Sequence, residues 1–433
     1  MSLFLILLLL IPIAFLAWRN LPYAVLALLF LLPTYLLRTE IFGLPTTYLE
    51  LAIYIVATAA IIRGSYKIIL EQYAEYRLWY NTALIFLGTA VLGVLIAPDL
   101  RLALGIFKGF IIDPFVLLSL VVIGAVKSDK LSAWQSKIIM SLVVSGALSV
   151  VVGFILGYIK NQTRLSGFYD SPNVMAMAIV PIVLAGTVWF FSQNDFKNKS
   201  GWLNKLFIVA LIILWLGLWR TGSYMAWLSV LVVTVYYQAI KFRFGIQLRK
   251  IIIITVILLG ILLPFSGGLL SSLGFIGHRN EVYQVNSIAV REILWHEAAL
   301  FIKQNPILGL GVGSWQVLFL RDIMPNLPAG RAQGFGVELY YASLYPHNLF
   351  ITWWLYFGII GLVVTFGAVG VLLWRTVTRK GMLILPSIVL LSIVTHGLLD
   401  TPVLKNDLFV LFLLSVVGCI SSIKILGSQY DKL

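Results

Sequence analysis

The sequence predicts an all-α, polytopic membrane protein: one bundle of about 12–13 transmembrane helices carrying a single large non-cytoplasmic loop. Three observations carry this. Hydrophobic residues make up 61% of the 433-residue chain and charged residues only 11%, less than half of the roughly 25% that covers a soluble domain. Apolar runs close to the ~20 residues needed to cross a bilayer recur along the whole length. Lysine and arginine gather in alternate short loops, the asymmetry that orients membrane proteins.

In chain order the runs fall near 2–18, 21–37, 48–63, 82–97, 111–126, 137–159, 173–192, 203–219, 222–239, 250–268, 348–373, 381–399 and 408–426. The opening Met-Ser-Leu-Phe has no basic n-region and no small-x-small cleavage site follows it, which predicts a retained first helix. Arg19, Asn20 and Pro22 part the first two runs. The loops richer in basic residues hold Arg19; Arg63, Lys67 and Arg77; Lys127, Lys130 and Lys137; Lys197, Lys199 and Lys205; Lys241, Arg243, Arg249 and Lys250; Arg375, Arg379 and Lys380; and Lys424 and Lys432. These face the cytoplasm by the positive-inside tendency, with the C-terminus inside and the 269–346 loop outside. An odd number of full spans then puts the N-terminus outside.

The 269–346 loop is the long hydrophilic stretch of the chain, and loops of that length in a compact protein are usually functional. Within it, residues 291–303 read as a helix with a broad apolar face, suited to lying along the membrane surface. Pro306 ends that helix. Gly309, Gly311 and Gly313 predict a flexible turn before Ser314 and Trp315.

A net charge of +14 would suggest nucleic acid in a soluble protein. Here the placement of the basic residues makes topology the better explanation, and no nucleic-acid partner is expected. Cys419 is the one cysteine, which excludes an intrachain disulfide and a cysteine-based metal site. Gly309-Leu-Gly-Val-Gly follows no strand and lies in no βαβ unit, so it is not a dinucleotide fingerprint. No P-loop occurs, which argues against an ATP-driven pump. No Asp-rich metal motif occurs either, and neither metal nor cofactor is expected.

Arginines on the outer side carry the most information. Arg164 precedes the 173–192 run, Arg220 sits in a short outer connection, and Arg291 begins the loop helix. Interfacial snorkelling or ion pairing explains any one of them. Converging, they make an anion clamp suited to a diphosphate, because guanidinium binds phosphate oxygens bidentately. His347 lies in Tyr-Pro-His-Asn, where the long loop re-enters the membrane, and an imidazole there suits proton transfer near neutral pH. The competing reading is a histidine that satisfies loop carbonyls. His296 precedes Glu297, but position 300 is Leu, so the His-Glu-x-x-His zinc motif is absent. His278 lies in a Gly-His-Arg stretch that reads as solvated. His396 and Asp400, four apart, read either as an ionisable pair on one helical face or as a cap facing Lys405. Glu50 suits a helix N-terminus. The 13 Trp and 19 Tyr read mostly as interfacial anchors.

Four segments resemble the O-antigen ligase and O-antigen polymerase superfamily of bacterial envelope glycosyltransferases. They are Arg164-Leu-Ser-Gly-Phe-Tyr-Asp-Ser-Pro-Asn173; Arg291-Glu-Ile-Leu-Trp295 with Asn305-Pro-Ile-Leu-Gly-Leu-Gly-Val-Gly313; His347-Asn-Leu-Phe with Gly358-Ile-Ile-Gly-Leu362; and His396-Gly-Leu-Leu-Asp400. They span roughly residues 160–420. The resemblance implies a GT-C-like membrane glycosyltransferase fold and a glycan donor on undecaprenyl diphosphate, taken from the outer leaflet of the bacterial inner membrane. It implies a glycan, lipid or protein acceptor. The family's loop histidine maps onto His347 as catalytic base, and its loop arginine onto Arg291 as a diphosphate ligand. Beside the resemblance, the charge argument adds Arg164 and Arg220 as candidate substrate-binding residues, with Asn348 and Asp400 as candidate supports. The chain departs from the family where Tyr224 of Thr221-Gly-Ser-Tyr224 occupies an arginine position. Arg220, one helical turn earlier, is the candidate to supply that charge. It departs again at Asn348, where the ligases often carry a second basic residue.

The expected function is therefore transfer or polymerisation of a lipid-linked glycan, metal-independent and inverting. Two other classes compete. A transporter or flippase of lipid-linked saccharide favours charges at mid-membrane depth and pseudo-symmetric halves, and neither is evident. A non-catalytic envelope-assembly protein would tolerate loss of His347.

Overall fold

The computed structural model describes residues 3–41, 44–128, 131–192, 201–239, 245–265, 287–326, 344–377 and 384–430. Among the described residues the elements are helices, as expected, apart from one short hairpin. Helices α1 (Leu3–Arg19) and α2 (Leu21–Phe30) are parted where Asn20 leaves helical geometry and its side chain accepts the amide of Tyr23 at 3.3 Å. The ten residues of α2 reach only ~15 Å, about half the hydrocarbon thickness. A 3₁₀ turn and an antiparallel hairpin follow, β1 (Arg38–Ile41) on β2 (Leu44–Thr47) with Arg38 opposite Thr47. The second apolar run is thus not one straight helix.

Thr47 caps α3 (Tyr48–Ile62) by accepting the Glu50 amide at 3.1 Å. Glu50 lies in that first turn, as its sequence position suggests, and also pairs with Lys108 at 2.9 Å. α4 (Tyr66–Glu75) leaves α3 at 83°. α5 (Arg77–Leu95) follows. α6 (Leu100–Phe107) and α7 (Asp113–Val126) are joined by a π-helical turn and form one long span. α8 (Leu131–Ile159), α9 (Pro172–Ser192), α10 (Trp202–Thr221), α11 (Tyr224–Gln238) and α12 (Gly245–Leu262) complete the first part of the bundle.

After the segment that contains α13 (Ser287–Gln304) and the short α14 (Ser314–Leu318), the chain returns as α15 (Leu349–Thr376), α16 (Leu385–His396) and α17 (Asn406–Tyr430). Among the described residues seven helices are long and apolar enough to cross a membrane, or eight if the bent α3–α4 pair is one span. Five shorter apolar helices accompany them. The expected 12–13 runs are therefore present as helices, but several are cut short. The 381–399 run, for example, is helical only over Leu385–His396.

Most of the long outer loop's expected features fall inside the described residues, while His278, Arg279 and Arg331 fall outside them. The loop helix starts earlier than expected, at Ser287. Its apolar stripe, Val290, Leu294, Trp295, Ala298 and Ile302, is buried. That stripe packs on α15 and on the turn at Leu263–Phe265, so protein takes up the face expected to meet the membrane surface. The spacing of these residues is that of one helical face, which is why a single docking surface can bury them all.

The glycine turn beyond Pro306 also differs from expectation. Gly309, Gly311 and Gly313 have φ of 75, 94 and 76°, a region open to glycine at little cost. The turn is not loose. Leu310 N donates to Leu355 O at 2.7 Å, Ile359 N to Ile307 O at 3.1 Å, and Val312 N to Gly93 O at 2.8 Å. Trp354 Nε1 donates to Pro306 O at 2.7 Å. These bonds exist because α15 breaks at Gly358 (φ 66°). The break frees backbone groups that a straight helix would pair internally. The Asn305–Gly313 segment fills the break and lies against the end of α5.

Candidate active site

The break at Gly358 ties α13 to the first part of α15, and that union places the site. His347 is the residue before Asn348, the N-cap of α15. It has φ of 53°; with Asn161 it is one of two non-glycine residues at positive φ among those described. Such a backbone costs about 1–3 kcal/mol and persists only where the surroundings enforce it. They do so here. Asn348 is fully buried, its Oδ1 accepts the Ile351 amide at 3.0 Å, and its Nδ2 donates to Leu398 O at 2.9 Å and Gly260 O at 3.3 Å. Leu349 N donates to Gly397 O at 2.8 Å, and Trp295 Nε1 donates to His347 O at 3.4 Å.

With its backbone pinned, the His347 ring meets Asp400: Nδ1 lies 3.2 Å from Asp400 Oδ1. A carboxylate accepts, so Nδ1 carries the proton and Nε2 holds the ring's lone pair. Asp400 Oδ1 also accepts the Thr401 amide at 3.0 Å. On the other side, Arg291 Nε donates to Leu399 O at 2.7 Å and Arg291 Nη2 lies 4.0 Å from Asp400 Oδ2. The side chains of Arg291, His347 and Asp400 are 12%, 18% and 10% exposed, enough to meet a ligand while shielded from bulk water.

Burial by itself raises the Asp400 carboxyl. The hydrogen bond from His347, and then the charges of His347, Arg291 and His396, outweigh it and hold the group well below the usual carboxylate range. Asp400 is therefore an ionised acceptor, able to steady an imidazolium when His347 takes up a proton.

Asp400 does not share a helical face with His396. α16 stops at His396, and Asp400 lies in the turn beyond it, facing His347 instead. His396 is 2% exposed and neither ring nitrogen has a hydrogen-bond partner among the described residues. Lys405 is not capped by that pair; its Nζ sits 5.7 Å from the centre of the Tyr345 ring.

Arg164 and Arg220 lie at the same end of the bundle, since α11 packs antiparallel to α16 from Tyr236 beside Ser387 outward. Among the described residues no hydrogen bond or ion pair of either side chain joins them to the His347 group. Arg164 Nε donates to Thr221 O at 2.8 Å, and its Nη2 to Asn173 Oδ1 at 3.1 Å and Gly222 O at 3.3 Å. Its guanidinium clasps the turn between α10 and α11. Arg220 and Tyr224 are not one turn apart on a continuous helix, because Gly222 (φ 59°) ends α10 between them. Arg220 is exposed on the clasped turn, and its side chain has no hydrogen-bond or ion-pair partner among the described residues. Tyr224 is 91% exposed. His296 is exposed on α13. Among the described residues no group of three or more His, Cys, Asp and Glu has the geometry to hold a metal ion.

Nothing in the sequence points to the Trp295–His347 bond, and little points to the break in α15. The one signal for the break was Gly358 inside an apolar run.

Residues 209–366 match the family model described as O-antigen ligase, a range that holds Arg220, Arg291, His347 and Asn348 and leaves Arg164 and Asp400 outside. The chain is 24% identical over 309 residues to an O-antigen ligase of Salmonella typhimurium, covering 67% of this chain and 69% of that one. No solved structure gives a significant match. The apolar helices mark a multi-pass membrane protein, and over this range the chain is similar to the O-antigen ligases.

Proposed function

We propose that the protein transfers or polymerises a glycan from undecaprenyl diphosphate to an acceptor hydroxyl at the non-cytoplasmic face of the bacterial inner membrane. The juxtaposition of Arg291, Asp400 and His347 carries this reading. His347 Nε2 takes the proton of the acceptor hydroxyl as its oxygen forms a bond to the anomeric carbon. The bond from that carbon to the diphosphate oxygen breaks, and the leaving group departs as the undecaprenyl diphosphate anion. Asp400 holds the ring and steadies the imidazolium. Direct displacement by one nucleophile inverts the anomeric centre.

Negative charge grows on the diphosphate as it leaves, and fixed cations aimed there lower the barrier. In this reading Arg291 takes that role. Arg220, presented by the turn that Arg164 clasps, is the second cation, and Arg164 acts by holding it. Guanidinium charge serves where other transferases use a cation, so this reading needs no metal. Asn348 is a positioning residue, since its polar atoms are all engaged with backbone. The acceptor is a glycan, lipid or protein hydroxyl.

The test is purified protein with undecaprenyl-diphosphate glycan and a hydroxyl acceptor. Undecaprenyl diphosphate should be released, and His347→Ala and Arg291→Ala should each lower release by at least about 10²-fold while the protein elutes as a folded species. Release at the wild-type rate in both variants defeats the mechanism.

A further inference from the structure

A second cationic group sits at the far end of the same helices. α15 runs from the His347 side to Thr376, and α16 returns from Leu385. Where those ends meet α11 and α12, Arg249 is 3% exposed and Tyr236 is fully buried. Arg249 Nε donates to Gly245 O at 3.2 Å, while its buried Nη1 has no partner among the described residues. Among the described residues no carboxylate lies within ion-pair distance of it. Tyr236 lies beside Ser387 and Thr376 and within the electrostatic reach of Arg249. Those two hydroxyls already donate to Ile384 O at 2.7 Å and Leu373 O at 2.9 Å. The Tyr236 hydroxyl makes no well-formed hydrogen bond.

A guanidinium kept from water with no opposite charge is strongly unfavourable, and a buried hydroxyl beside it held only by poorly formed contacts with Ser387 and Thr376 adds to the cost. The N-terminus of α16, at Ser387, adds partial positive charge. One ligand class answers all three: an oxyanion that accepts from Arg249 and Tyr236. The surroundings have the chemistry of a lipid headgroup region. Lys250 Nζ lies 4.4 Å from the centre of the Trp374 ring, Trp374 is 45% exposed, and Ile251 is 58% exposed beside them, the mixture of cation, aromatic and apolar surface found at a membrane interface.

We infer that Arg249 and Tyr236 form a phosphate-binding site, filled by the headgroup of an anionic phospholipid, at the end of the bundle opposite His347. The site plays no part in the transfer chemistry. It fastens the ends of α11, α12, α15 and α16, whose other ends position His347 and Asp400.

Delipidated full-length protein in neutral detergent tests this by thermal melting and native mass spectrometry. The probes are phosphatidylglycerol, diacylglycerol and inorganic phosphate. Phosphatidylglycerol should raise Tm by roughly 3–5 °C and remain as a bound adduct, whereas diacylglycerol, lacking phosphate, should do neither. An equal response to inorganic phosphate supports the site and makes its source a soluble anion. Arg249→Met should lose the response, and Arg249→Lys should keep part of it with an unchanged transfer rate, since charge remains without the bidentate fork. Should Arg249→Met fail to fold, Arg249→Lys and Tyr236→Phe carry the test. A full wild-type lipid response in both of those, or a response to diacylglycerol equal to that of phosphatidylglycerol, overturns the proposal.

Discussion

His347 Nδ1 lies 3.2 Å from Asp400 Oδ1, although the two residues are 53 positions apart and belong to different helix ends. The pairing sets which ring nitrogen is basic. Replacing Asp400 by Asn keeps the shape and removes the charge. Turnover should fall by about 10²–10⁴-fold with little change in KM for the donor. Steady-state release of undecaprenyl diphosphate measures this. A KM effect with kcat intact would move Asp400 from base support to substrate binding.

The same carboxyl links stability to pH. Its folded value lies well below the ordinary one. The stabilisation it provides is therefore complete above the unfolded value of about 3.9, and is lost as pH falls through the lowered folded value. The Tm gap between wild type and Asp400→Asn should stay constant from neutral pH down to roughly pH 5 and close only in stronger acid. A gap that closes between pH 8 and 6 would assign the titration to another group.

Asn348 should prove structural. Alanine there removes the cap of α15 and leaves the Ile351 amide and two carbonyls without partners. Loss of the cap costs about 1–2 kcal/mol, and the buried orphans add to it. Thermal melting should show the loss, and activity should fall with it. Asn348→Asp, which keeps the acceptor but not the donors, should recover only part.

Gly358→Ala probes the tie between α13 and α15. The residue is at φ 66°, and an added Cβ would collide with the Ile307 carbonyl. The left-handed backbone alone costs a non-glycine residue roughly 1–2 kcal/mol. Lower yield and lower Tm should accompany a loss of activity larger than Gly105→Ala gives, since a Cβ at Gly105 meets open space. Equal behaviour of the two variants would mean that the break does not matter.

Arg164 and Arg220 should separate cleanly. Arg164→Ala removes three hydrogen bonds of the α10–α11 turn and should lower Tm by several degrees. Arg220→Ala touches nothing structural and should leave Tm unchanged while raising KM for the diphosphate donor several-fold. A donor KM unaltered in Arg220→Ala removes it from the substrate site.

Much of this protein is written in local chemistry. Apolar runs are read one segment at a time, so the helical membrane class, the helix around 291–303 and the four segments that resemble the O-antigen ligases are legible directly. His347 and Arg291 stand out because a titratable or charged side chain is costly at a membrane boundary unless it is used. What needed three dimensions was whatever depends on where the backbone stops being regular. The end of α16 at His396 turns Asp400 from a helix neighbour of His396 into the partner of His347. Gly222 separates Arg220 from Tyr224, and Gly358 opens α15 to receive the Asn305–Gly313 segment. Arg164 is a clasp only because Thr221 and Gly222 come to it from 57 and 58 residues away. Sequence period shows which face of a helix is apolar, but long-range hydrogen bonds between carbonyls and side chains leave no period, and only the packed fold decides them.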